Sequence, residues 1–179
     1  MDSETRREFD IVVYGATGFT GALVAQYFHE THSDATWAIA GRSQNKLDAV
    51  KRRLAAPDLP TLVADSDSRE DMTRLAAQSR VIISTVGPYA RYGTTLLEAC
   101  AAEGTHYCDL TGEPQWMASV FERVSDAAEE SGARMIHCCG FDSIPSDLGV
   151  YVAQKTMMEK HGLYASSVCL LYTSPSPRD

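Results

Sequence analysis

Residues Ile11-Val12-Val13-Tyr14-Gly15-Ala16-Thr17-Gly18-Phe19-Thr20-Gly21 constrain this chain more than any other stretch. An apolar, strand-forming run leads straight into glycines three residues apart. A helical pattern follows, with Leu23 and Tyr27 on one row and Val24 and Phe28 on the next. Strand, tight glycine turn and helix are the opening of a dinucleotide-binding βαβ unit. In that reading Gly15 permits the turn, Gly18 lets main chain approach a pyrophosphate, and Gly21 lets the helix pack close to the sheet. The helix N-terminus adds unpaired N–H groups and a positive dipole end. Gly15, Ala16, Thr17, Gly18, Phe19 and Thr20 are therefore the candidate phosphate seat. Ligand-free turns share this glycine spacing; its place after a strand and before a helix favours binding.

Thr36 to Ala40 reads as a second strand, ending in Gly41-Arg42-Ser43, and the next helix carries Leu47, Val50 and Leu54 inward. In dinucleotide folds an acidic residue at this strand end holds the ribose 2′-hydroxyl of NAD. Here Arg42, Ser43 and Lys46 occupy that region, and cations with a hydroxyl suit the 2′-phosphate of NADP. A solvated basic face is the alternative, since Lys51, Arg52 and Arg53 follow, but Arg42 sits at the strand end. NADP is thus expected over NAD. Thr61 to Ala64 is a short third strand closed by Asp65, either an acceptor for the adenine amine or a turn residue. Asp67 to Glu70 has capping-box form and opens a helix with Met72, Leu75 and Ala76 inward.

Arg80 to Val86 carries the apolar run Val81-Ile82-Ile83, as a buried parallel strand should. The loop Val86-Gly87-Pro88-Tyr89 would then lie against the nicotinamide half of the cofactor, or serve only as a rigid turn. A helix over Gly93 to Glu103 buries Leu96 and Cys100. His106 to Asp109 is a fifth strand, Pro114 suits a first helical position, and Trp116, Val120, Val124 and Ala128 continue that helix to Gly132. Arg134 to Cys138 is a sixth strand. His106 and His137 lie on strands, where a buried, hydrogen-bonded histidine is commoner than a catalytic one. After Gly140 to Pro145 a last helix presents Leu148, Tyr151 and Val152. This alternation predicts an α/β, Rossmann-type doubly wound parallel sheet of about six strands, with its loops along one edge.

The net charge of −8 over 179 residues argues against a nucleic-acid partner. No apolar run reaches the length of a membrane span, and Met1 to Asp10 is too charged for a secretory signal, so a cytoplasmic protein is expected. The five cysteines form no C-x-x-C pair and no His/Cys ligand spacing. No metal is expected, and the thiols read as reduced, most of them core fillers.

Five blocks in order carry a resemblance. They are Gly15 to Gly21; Ala40 to Ser43 with Lys46-Leu47; Val86 to Tyr89 with Tyr92-Gly93; Asp109 to Gln115; and Gly140 to Gly149. Together they resemble the saccharopine dehydrogenase-like oxidoreductases, which include the trans-acting enoyl reductases of bacterial lipid synthesis. The resemblance implies an NAD(P)-binding domain over residues 1–150. It implies reductase or dehydrogenase chemistry on a C=C, C=N or C=O bond of a lipid-like or small-molecule substrate. A larger substrate domain would follow residues 151–168, and a homodimer through that missing domain is open. Residues 169–179 do not resemble the family; they resemble a translated sequencing-library adapter, so a truncated chain, inactive alone, is expected. Tyr89, Asp142 and Ser143 lie on loops at the correct edge as candidate proton donors. No Tyr-x-x-x-Lys spacing is present, and no catalytic residue is assigned. The alternative from another class is a non-catalytic NADP-binding sensor or scaffold module.

Overall fold

The computed structural model describes residues 7–32 and 34–170. The chain divides into two units, one reaching to Cys139 and the other beginning at Gly140.

In the first unit, strand β1 (Phe9–Tyr14) feeds helix α1 (Phe19–Thr31), then β2 (Trp37–Gly41) and α2 (Gln44–Arg53). Next come β3 (Thr61–Val63), α3 (Arg69–Gln78) and β4 (Ser79–Ser84). The short α4 (Tyr89–Tyr92) and α5 (Thr94–Glu103) precede β5 (His106–Asp109), α6 (Pro114–Ser131) and β6 (Met135–Ile136). The six strands form one sheet in the order β3-β2-β1-β4-β5-β6, and every neighbouring pair is parallel. This is the doubly wound Rossmann-type α/β fold, with the order reversing between β1 and β4.

Alternation along β1 sends consecutive residues to opposite faces. Val12 joins the cluster containing Met72, Leu96 and Val120, so α3, α5 and α6 cover that face. Val13 joins Ile39, Leu47 and Ala25, so α1 and α2 cover the other. Both faces are dry because each crossover lays a helix back over the sheet.

Several elements depart from the sequence expectations. On α1 the row Leu23–Tyr27 is exposed, whereas Gly21, Ala22 and Ala25 are buried. Close approach of α1 to the sheet admits only small residues there and turns the bulky row outward. The cap of α3 is Ser68, whose hydroxyl accepts from Asp71 N at 3.2 Å, one residue later than the Asp67/Glu70 frame. Strand β4 stops at Ser84, so Thr85 and Val86 belong to the following loop. Strand β6 is only Met135–Ile136 because Cys138 takes a positive φ of 61° and turns the chain off the sheet edge. Helix α4 was not foreseen. All five thiols are free but only Cys100 is buried, so most are not core fillers.

The second unit is built on helix α7 (Ile144–His161), in which no residue is buried. Leu148, Tyr151 and Val152, expected as its packed apolar face, are exposed; within that unit no second layer covers them. Gln154 bonds the backbone of Ala165 in both directions, at 3.0 and 2.8 Å. Ala165 to Val168 form no strand. Cys169 and Leu170 are exposed, and the rest of the tail, residues 171–179, lies outside the described residues. No described helix is long and apolar enough to cross a membrane.

Candidate cofactor site

The reversal of strand order opens a crevice of about 230 Å³ at the carboxyl edge of the sheet. Tyr14, Gly15, Thr17 and Gly18 line it from the β1–α1 junction, and Gly41 and Arg42 from the end of β2. Ser66 closes it beyond β3, and Thr85, Val86 and Gly87 with Tyr92 form the wall beyond β4.

The glycines at the junction differ in what demands them. Gly15 has φ +90°, and a Cβ there would lie 2.6 Å from Thr85 Oγ1. A Cβ on Gly21 would collide with the carbonyl of Gly15. The fold itself requires both. Gly18 is different: its φ is −83°, and the nearest atom to a Cβ would be the Gly15 carbonyl oxygen at 3.4 Å. Its bare Cα borders the crevice, where a Cβ would take space from a ligand. Helix α1 begins at this point with no side-chain cap and no acidic residue in its first turn. Its terminal N–H groups and dipole are left for an anion.

Arg42 is exposed at the rim. The other arginines with carboxylate partners use Glu98, Asp71 and Asp10, and Arg42 makes no ion pair among the described residues. Beneath it Tyr14 is buried; desolvation pushes its phenol up to about 12, with the Asp65 charge adding to the rise and the Arg42 charge opposing it. This floor therefore carries no negative charge at neutral pH. An anionic group in the crevice meets a guanidinium, a helix N-terminus and neutral hydroxyls, with the Asp65 and Asp71 carboxylates acting on the floor from nearby.

The opposite wall is held by side chains distant in sequence. Glu113 accepts from Tyr89 N at 2.7 Å with one carboxylate oxygen and from Ala90 N at 2.9 Å with the other. It thereby satisfies the exposed N–H groups of α4 and ties the loop after β4 to the loop after β5. Tyr89 is 4% exposed. Its phenol donates to Ser84 O at 3.0 Å, and its ring stacks on Trp116 with centroids 5.5 Å apart. Burial pushes that phenol up to about 12.

The structure thus brings together Gly15, Thr17, Gly18, Arg42, Val86 and Gly87 of the expected residues. Ala16 is buried beneath the turn, and Phe19 (85% exposed) and Thr20 stand at its outer side. Ser43 is the N-cap residue of α2 and Lys46 lies exposed in its first turn. Asp65 acts in its turn, accepting from Asp67 N at 3.1 Å, and Ser66 rather than Asp65 lines the crevice. Pro88 caps α4, and Tyr89 points into the core instead of toward the crevice, which removes it as a proton donor. Asp142 and Ser143 belong to the unit beginning at Gly140. Sequence reasoning missed Tyr14, Gly41, Ser66, Thr85 and Tyr92. Tyr14 and Thr85 were legible as the residues flanking strand ends; Tyr92 needed α4.

The profile of the saccharopine dehydrogenase NADP binding domain matches residues 11–136. The chain belongs to this family. A Mycobacterium tuberculosis relative is 50% identical over 149 residues, covering 82% of this chain and 36% of that protein. Proteins named trans-acting enoyl reductase from Mycobacterium bovis and Mycobacterium ulcerans are 45% and 46% identical, covering 88% and 83% of this chain. The chain spans 36–38% of the length of these relatives. Among solved structures, apo saccharopine dehydrogenase (L-Glu forming) from Saccharomyces cerevisiae superposes with a TM-score of 0.61 at 17% identity. That match covers 86% of this chain and 32% of the yeast enzyme. Triphenylmethane reductase from Citrobacter, complexed with NADP(H), gives 0.56 at 17% identity, over 83% of this chain and 55% of that one. These structural matches share the fold. The family's domain takes NADP as its cofactor.

Proposed function

We propose that this saccharopine dehydrogenase-type domain seats NADP(H) in the crevice between β1 and β4, as the cofactor half of a reductase. The substrate is a lipid-like acyl group with a double bond activated by a neighbouring carbonyl. The names of the mycobacterial relatives support the C=C choice over C=N or C=O. The single observation that carries the reading is an unpaired Arg42 at the end of β2, on the same crevice as Gly15 and Gly18.

The residues present fit the cofactor. Main chain at Gly15 to Gly18 and the uncapped start of α1 bind the pyrophosphate by N–H donation. Arg42 grips the 2′-phosphate of the adenosine ribose through its planar fork. Val86 and Gly87, fixed through Glu113, shape the wall against the nicotinamide half and exclude water from that side. When bound, NADPH supplies a hydride from its nicotinamide ring.

Titration of NADPH and NADH against wild type and Arg42→Ala tests this reading. Losing a charge-assisted contact of about 1.5–3 kcal/mol weakens NADPH by roughly 10- to 100-fold. NADH binding stays unchanged. Equal affinity of the wild type for both cofactors would remove the NADP assignment to Arg42.

A further inference from the structure

Two strands away from the crevice wall, the same carboxyl edge carries a second arrangement. Tyr14 pairs with Ser84, Ser84 with Asp109, and Cys108 with Ile136. His137, the residue after Ile136, therefore stands level with Asp109 on the neighbouring strand. His137 Nδ1 lies 2.7 Å from Asp109 Oδ2. The Asp109 carboxylate is fully buried, with 0% of its side chain exposed. It also accepts from Tyr107 Oη at 3.0 Å, Thr111 N at 3.1 Å and Cys138 N at 3.3 Å. No arginine or lysine pairs with it among the described residues; His137 is its only ion-pair partner.

This geometry sets the histidine's proton inventory. A carboxylate already surrounded by three donors is an acceptor, so Nδ1–H is the donor of the fourth contact. The ring is further held edge-on to Trp116, with centroids 5.2 Å apart, and Trp116 stacks on Tyr89 behind the crevice wall. Nε2 makes no hydrogen bond among the described residues, yet no buried side-chain nitrogen there lacks a partner. Nε2 is therefore open to the surface. A buried acid orienting a histidine whose other nitrogen is free, at the carboxyl edge of the sheet, has the geometry of an acid–base pair.

We propose that His137, oriented by Asp109, protonates the substrate during reduction. The inference rests on the reductase reading above. Hydride adds to the carbon β to the carbonyl of an α,β-unsaturated acyl thioester, and the π electron pair moves onto the α-carbon and carbonyl. The Nε2–H bond then breaks, a C–H bond forms at the α-carbon, and the imidazolium becomes neutral imidazole. NADPH is oxidised to NADP⁺, the double bond is reduced, and water returns a proton to Nε2. Asp109 touches neither reactant: it is a positioning residue that holds the tautomer and stabilises the imidazolium.

Imidazole NMR of the whole chain, with NADPH and 2′,5′-ADP as probes, tests this without turnover. The His137 ring resonances should move with NADPH and stay still with 2′,5′-ADP, which fills only the Arg42 end. Asp109→Asn should shift the protonated nitrogen away from Nδ1 while leaving NADPH affinity within about twofold. In the full-length protein, with crotonyl-CoA as the acceptor, His137→Gln should lower NADPH oxidation by roughly 100-fold, the scale of a lost general acid, with NADPH affinity unchanged. Bound NADPH with a silent His137 ring, or full-rate reduction by His137→Gln, overturns the proposal and leaves the cofactor site standing. Failure of the wild type to bind NADPH removes the reductase reading, and this proposal with it.

Discussion

The two ends of the sheet's carboxyl edge are built by different means. At β1 and β2 the crevice is made of main chain: a left-handed glycine, an uncapped helix start and one unpaired arginine at the rim. At β4 to β6 the edge is made of side chains that satisfy one another. Glu113 reaches across 24 positions to Tyr89, and Asp109 across 28 to His137. The first end leaves donors free for a ligand. The second uses nearly all of its donors internally and leaves one nitrogen free. An anion needs many weak, preformed donors, whereas a proton transfer needs one donor in a defined direction.

Substitutions separate the two designs. The largest effect is expected at Gly21, where the β1–α1 junction is a packing contact. Gly21→Ala should destabilise the domain by about 3 kcal/mol, because backbone of the turn, not a flexible side chain, must move to admit the methyl group. Urea unfolding measures this, and a midpoint within error of wild type would show that α1 does not need its close approach. Next is Glu113 at the other end. Glu113→Ala leaves the Tyr89 and Ala90 N–H groups without their carboxylate, costing about 1–2 kcal/mol. It should weaken whole NADPH more than 2′,5′-ADP, since only the nicotinamide-side wall loosens; isothermal titration with both ligands reads the difference. The smallest stability effect is expected at Gly18. Gly18→Ala should fold within about 0.5 kcal/mol of wild type yet bind NADPH about tenfold more weakly, as for a misplaced charge-assisted contact. Wild-type affinity in that variant would mean the pyrophosphate does not pass over Gly18.

The same contrast explains which parts of the molecule were legible beforehand. The strand–glycine–helix junction was legible, and Arg42 could be placed at the end of the second strand, because both depend on local backbone and on position relative to one strand end. The sheet order follows from the βα alternation with right-handed crossovers. Tyr89 was misread because its position in a loop at the correct edge says nothing of where its ring turns. The stack on Trp116 and the bond to Ser84 O draw it inward. His137 was expected to be hydrogen-bonded, and it is, but its partner Asp109 could not be named beforehand because no spacing rule connects the two. Leu23 and Tyr27 keep the expected helical spacing but face outward, because Gly21 brings the opposite face of α1 against the sheet.

Local sequence alone determined that a strand must break into a helix at Gly15 to Gly21, and that a cation must follow the second strand. Both follow from steric and charge properties that need no distant partner. The tertiary fold alone decided which wall residues face the crevice and which histidine nitrogen stays free. Those outcomes depend on parallel register bringing β4, β5 and β6 side by side, so that carboxylates from one loop can claim the donors of another.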